Sequence, residues 1–264
     1  MEQKILEKLR EAEMILVGIG EEFSPAVPES CREKELYPYL QSKYYDTLPE
    51  DHEVIRAYSE LRSLIGAKPY FVVTMNTDDL IYRTGFEQDL IVAPCGSMQK
   101  LQCTEHIVEA GEIRDRILEM SEVKDTADHT DFVPKETGLQ TSEKCRECSS
   151  SEVIRRNAVC PVCGAPLQFH TTETEGYLEQ GYLPQWSRYT KWLSCTLNRR
   201  LCILELGVGF RYPRVVRFPF EKAAVYNQKA TLVRVHSRLA QLPEELSQRG
   251  ISVKKSPVQF LLEN

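Results

Sequence analysis

The sequence predicts an α/β fold, a parallel sheet with helices on both faces, joined to a small metal-binding module. Three observations predict it. Continuous apolar runs at Met14 to Val17, Tyr70 to Thr74, Leu201 to Leu206 and Thr231 to His236 read as strands buried on both sides. Helical patterns lie between them, and that alternation favours a parallel sheet. Two Cys-x-x-Cys turns, Cys145–Cys148 and Cys160–Cys163, stand eleven residues apart, a spacing that suits a tetrahedral thiolate site for zinc.

Taken in order, Ile5, Leu9 and Ala12 share one face of a first helix. The first strand ends at Gly18-Ile19-Gly20, where glycine lets the backbone turn tightly or approach a ligand. Glu21 and Glu22 follow at once, and two carboxylates repel a pyrophosphate unless they point away. From 23 to 51 the chain is rich in Pro, Tyr and charge, and reads as a long loop with one short helix: a lid, or a cap held down by tyrosines. His52 to Ile65 reads as a helix. The strand from Tyr70 breaks into the polar turn Met75-Asn76-Thr77-Asp78-Asp79, and a second run, Leu90 to Ala93, ends at Pro94-Cys95-Gly96-Ser97. Polar groups thus gather at strand carboxyl ends, where ligands sit in open α/β sheets.

Glu105 to Met120 reads as a helix, with Ile107, Ile113, Ile117 and Leu118 apolar. The segment 121–144 is polar and reads as a surface loop. Trp186, Tyr189, Leu193 and Leu197 recur at helical spacing and predict a helix packed on the sheet, with Tyr177 and Tyr182 left as candidates for ligand contact. Helical segments at Glu244 to Arg249 and Pro257 to Leu262 fill the tail.

The net charge of −6 leaves no excess of Lys and Arg to neutralise phosphates, which argues against a nucleic-acid binder. No apolar run approaches the ~20 residues that span a membrane. Met1-Glu2-Gln3-Lys4 does not read as the start of a signal peptide. Nine cysteines without an export signal read as reduced thiols or metal ligands, so a cytoplasmic location is expected. Four thiolates leave no open position, which makes the zinc structural. Cys103 and His106 also have ligand spacing and offer an alternative pair, although Cys103 reads first as the end of a strand before a helix.

The order of these motifs resembles the sirtuin family. Gly18-Ile19-Gly20-Glu21-Glu22 resembles that family's Gly-Ala-Gly-x-Ser turn. Thr74-Met75-Asn76-Thr77-Asp78-Asp79-Leu80 resembles its Thr-Gln-Asn-x-Asp-Gly-Leu, and Arg83-Thr84-Gly85-Phe86 continues the match. Cys95-Gly96-Ser97 resembles its His-Gly-Ser, Cys160-Pro161-Val162-Cys163-Gly164 its second zinc pair, and Gly207-Val208-Gly209-Phe210 with Pro213 its Gly-Thr-Ser-Leu motif. Departures accompany the matches. Cys95 replaces the general-base His, Met75 replaces the Gln, Val208 and Gly209 replace the Thr and Ser that contact NAD phosphates, and His236 stands where a late strand carries Asn.

The resemblance implies a large Rossmann-type NAD-binding domain over 1–100 and 176–264, with 23–65 as loop and cap, and a small zinc module over 101–175. It implies Asn76, Asp78 and Cys95 at the catalytic centre, and Gly18, Gly20, Asn76, Asp78, Ser97, Gly207, Gly209 and His236 around the cofactor. Cys145, Cys148, Cys160 and Cys163 would hold zinc. The expected partners are NAD or an ADP-ribose-like nucleotide, and a protein or peptide between the domains. A thiol is a poor substitute for the His base. The implied activity is therefore NAD cleavage or ADP-ribosyl transfer with lysine deacylation weak or lost; the alternative is a non-catalytic nucleotide-sensing or protein-binding scaffold.

Overall fold

The computed structural model describes residues 2–31, 35–122 and 149–263. The first unit is the helix α1 (Glu2–Glu11) followed by strand β1 (Met14–Ile19). After two 3-10 turns come α2 (Tyr37–Thr47) and α3 (Glu53–Ile65), then β2 (Tyr70–Thr74) and a two-residue β3 (Ile91–Val92). The chain continues through β4 (Gly96–Gln102), β5 (Ile107–Glu109), α4 (Gly111–Glu122), α5 (Ser150–Asn157) and β6 (Gln168–Thr171). It returns with α6 (Leu183–Ser194), β7 (Leu201–Leu206), α7 (Arg217–Tyr226), β8 (Thr231–Val235), β9 (Gly250–Val253) and α8 (Pro257–Leu262).

Six strands form a parallel sheet in the order β3-β2-β1-β7-β8-β9. Alternate residues feed opposite faces, as the pleat requires. Ile15, Val17 and Ile19 join one core with Ile5, Tyr58, Leu61 and Phe260, so α1, α3 and α8 cover that face. Leu16, Phe71, Val73 and Ile203 join the other with Tyr189, Phe220 and Ala224, so α6 and α7 cover the second. Both faces are therefore apolar, which is why the strands read as unbroken hydrophobic runs.

A second sheet, order β5-β4-β6, is antiparallel and starts immediately after Cys95. Arg114 of α4, a buried guanidinium, bolts it to α2: it donates to Gln99 Oε1 at 2.8 Å, Asp46 Oδ2 at 2.8 Å and Ser42 Oγ at 3.2 Å. The Tyr39 ring meets Phe169 edge-on at 5.0 Å. Within the 23–51 segment, buried Tyr39 and Tyr45 hold α2 against the core.

Four expectations need correction. Ile107 to Glu109 is a strand, and the helix begins at Gly111; three residues paired to β4 outweigh their fit to a helical period. Of the two helices expected in the tail, α8 is present, but the one at 244–249 is only a 3-10 turn, Glu244–Leu246, followed by β9, whose half-polar sequence hid an edge strand. The run at Leu90 shortens to β3, with Leu90 ending a 3-10 turn. Leu197 lies beyond the end of α6 and is exposed, so the aromatic stripe stops at Leu193.

Candidate functional site

Two places concentrate chemistry. The first lies where the sheet's strand order reverses. From β1 the chain crosses to β2 on one side and later to β7 on the other, and such a switch point opens a crevice at the strand carboxyl ends. Asn76 and Asp78 follow β2 here, level with the end of β1, since Met75 N–H donates to Ile19 O at 2.9 Å. Asn76 is 7% exposed, and its Nδ2 has no partner of hydrogen-bond geometry; the Tyr58 hydroxyl beside it is likewise buried and unpartnered. A buried amide donor left unpaired is costly, and such an atom points to an absent acceptor. Asp78 is held by the Ser24 hydroxyl on one oxygen and by Leu80 N–H at 3.1 Å on the other. Burial pushes its carboxyl above the usual range.

Cys95 lies nearby, 2% exposed in the apolar layer with Met75, Val92 and Tyr189. Burial pushes its thiol up to about 11, so at neutral pH it stays protonated. A thiolate is the reactive form of cysteine, and this site suppresses it. Ser97 does not face the crevice freely: its hydroxyl donates to Asp79, and it accepts Gln99 N–H at 3.0 Å.

The glycine turns close on each other. A Cβ on Gly20 would stand 2.3 Å from Gly207 O and from Val208 Cα, so only glycine permits this approach. Gly20 N–H donates to Leu206 O at 2.9 Å and Glu22 N–H to Gly207 O at 3.1 Å. Gly207 itself adopts φ +65°, the left-handed region that favours glycine. Gly18 faces the other way, its open side filled by Val216, just before α7, and by Phe220 of α7. Gly209 N–H donates to Glu21 Oε2 at 3.3 Å. His236 Nδ1 accepts Arg238 N–H and Leu239 N–H, each at 3.2 Å, and burial lowers its pKa.

Sequence reasoning missed three groups around this crevice. Arg217 is buried; it donates to Val208 O at 2.8 Å and Leu239 O at 2.9 Å and packs 4.3 Å from the Phe210 ring centroid. It ties the β7 and β8 turns together, and its sequence carries no signal of that. Asp79 has φ +59°, and the family's Gly at that place was the available clue. Burial pushes its carboxyl up to about 7. His170 on β6 donates Nδ1–H to Gln102 Oε1 at 2.7 Å. The Gln102 amide is oriented by Gly176 O and Leu178 N–H, which fixes that tautomer. Burial lowers His170 to about 4, so the ring is neutral, and with Asp79 it lines a cavity of about 340 Å³.

The second place is the metal cluster. Cys103, His106, Cys160 and Cys163 each offer a ligand atom, and these atoms all lie within 4.8 Å of one another. Cys103 Sγ is 3.5 Å from His106 Nδ1 and 3.6 Å from Cys163 Sγ. Bonds of about 2.0–2.3 Å to a tetrahedral ion set ligand edges of about 3.5–3.8 Å, so the donor set fits zinc. Cys103 is no helix start. It opens the turn between β4 and β5, with Cys103 N–H donating to His106 O at 3.0 Å. Glu105 N–H and His106 N–H point at its sulfur, and with the His106 ring they lower the thiol to about 6. The alternative pair thus stands beside Cys160 and Cys163. Cys145 and Cys148, the expected partners, lie outside the described residues.

No family model matches the chain. The chain is 22% identical to a protein ADP-ribosyltransferase of Staphylococcus aureus, over 91% of this chain and 79% of that protein. It is 26% identical to a probable bifunctional ADP-ribose hydrolase/ADP-ribosyltransferase of Fusarium oxysporum f. sp. cubense, over 69% of this chain but only 28% of the fungal protein. Among solved structures it matches Sir2Tm bound to a propionylated peptide, with TM-score 0.54, 13% identity and coverage of 99% and 95% of the two chains. A Sir2 homolog–NAD complex matches with TM-score 0.54 and 16% identity over 100% and 92%. These likenesses show that the chain shares the fold of the Sir2 structures.

Proposed function

We propose that this protein is an NAD-dependent ADP-ribosyltransferase with lysine deacylation weak or absent. The observation that carries this is the contrast within the crevice: Asn76 keeps a buried, unpartnered amide beside Asp78, while the position of the family base holds a protonated Cys95 thiol. The names of the relatives support the transfer reading and lend nothing to a non-catalytic scaffold.

NAD would supply a ribose already bonded to a good leaving group, the neutral nicotinamide. Breaking that bond demands positioning and a field that tolerates positive charge at the ribose. Asn76 is placed to hold a ribose or carboxamide oxygen through Nδ2, and Asp78, steadied by Ser24 and Leu80, to fix the turn that presents it. Deacylation additionally needs a base at a ribose hydroxyl, and a thiol near 11 accepts no proton from one. We assign the large domain to 1–100 and 176–264 and the module to 101–175. The module's zinc, held by Cys103, His106, Cys160 and Cys163, is structural because four protein donors fill a tetrahedron.

Incubation with NAD and chromatography for free nicotinamide tests the reading. Release that depends on Asn76, and falls in Asn76→Ala without loss of folding, is expected. Absence of nicotinamide and of ADP-ribosylated product at every NAD concentration contradicts it.

A further inference from the structure

Glu21 and Glu22 follow the first glycine turn, and they do not point away from the crevice. Glu21 accepts Gly209 N–H at 3.3 Å, and its Oε1 lies so close to that backbone that a Cβ on Gly209 would stand 2.0 Å from it. Glu22 accepts Ser237 N–H at 2.9 Å and also the Ser237 hydroxyl. The donors involved, backbone N–H groups and a hydroxyl at the carboxyl ends of neighbouring strands, are the kind that hold phosphate oxygens in α/β sheets. Each is already saturated by a carboxylate of the same chain. Arg217 is committed as well, to Val208 O and Leu239 O.

We propose that Glu21 and Glu22 act as internal competitors for the diphosphate of the nucleotide, so that they set its affinity and discriminate against the more highly charged ligands. The inference rests on the NAD reading above. Binding requires both side chains to leave their donors, or an added anion to lie against two carboxylates. Like charges within about 4–6 Å disfavour each other by an amount equivalent to one to three pK units, a factor of about ten or more in binding. A merely structural pair would instead staple the β1 turn to the β7 and β8 turns, and its loss would lower stability without improving affinity.

The test compares the wild type with Glu21→Gln, Glu22→Gln and the double variant by calorimetric titration with NAD and with adenosine, which has no phosphate. Glutamine keeps an oxygen acceptor for Gly209 and Ser237, and ligand-free thermal melts verify that each variant folds. The double variant is expected to bind NAD about tenfold tighter or more, with adenosine binding unchanged. If the wild type binds NAD and the variants bind it equally or more weakly, the competitor role is overturned and the NAD reading stands. If only the variants bind NAD, the competitor role holds and the activity proposed for the wild type fails. If no form binds NAD, both fall.

Discussion

The metal cluster and the switch-point crevice are built from the same materials, tight backbone turns at strand ends, yet they stand in opposite states of readiness. In the cluster, four donors converge within 4.8 Å, and backbone N–H groups already draw the Cys103 thiol toward its ionised form. In the crevice the glycine turns touch, the donors are capped by Glu21 and Glu22, and Asn76 keeps a buried donor without a partner. The difference teaches that a preserved backbone does not preserve a binding preference. Side chains one and two residues beyond Gly20 decide whether the turn waits for an anion or supplies its own.

The largest effect should come from the cluster. Zinc bound by four donors contributes on the order of 10 kcal/mol to the folding of a small module. Metal analysis should find one zinc per chain, lost in Cys103→Ser and Cys160→Ser and kept in Cys145→Ser. Zinc loss in Cys145→Ser would break the assignment and return that residue to the ligand set.

The next effect concerns the crevice. Cys95→His restores an imidazole where the family carries its base, and general-base help is worth roughly 10²–10⁴-fold. A gain of deacylation of that size in an acyl-lysine peptide assay would place the whole defect at Cys95. No gain would assign it also to Met75 and to the carboxylates of Glu21 and Glu22, and so sharpen the contrast with the cluster.

A smaller effect is expected between the two sites, at Asp79. Its carboxyl, pushed up to about 7 by burial, binds a proton in the folded chain over a range where the unfolded chain has released it. The folded state holds more protons from about pH 4 to 7, so stability falls as pH rises through that window. Asp79→Asn keeps an acceptor for the Ser97 hydroxyl and tolerates the left-handed backbone. It should stabilise the protein by about 1–2 kcal/mol at pH 8 and by much less near pH 4. Equal effects at the two pH values in thermal melts would refute the burial argument.

The sheet was legible because its strands are buried on both faces, and Met14 to Val17, Tyr70 to Thr74 and Leu201 to Leu206 carry unbroken apolar runs. β5 and β9 were not, since Ile107-Val108-Glu109 fits a helical period and Gly250-Ile251-Ser252-Val253 is half polar. Cys160 and Cys163 announced themselves by spacing. Cys103 and His106 carried the same spacing, but their place in a hairpin turn depends on the pairing of β4 with β5, which no local pattern encodes. The strand-end positions of Asn76 and Asp78 could be read from the sequence. The capping of Gly209 and Ser237 could not, because it joins residues 188 and 215 positions apart.

The account turns on the separation of nicotinamide cleavage from deacylation. The most direct measurement incubates the wild-type protein with NAD and an acylated-lysine peptide, and follows nicotinamide, ADP-ribosylated product and deacylated peptide in the same samples. The account predicts nicotinamide and ADP-ribosylated product with little or no deacylated peptide. Deacylated peptide formed in step with nicotinamide would contradict it.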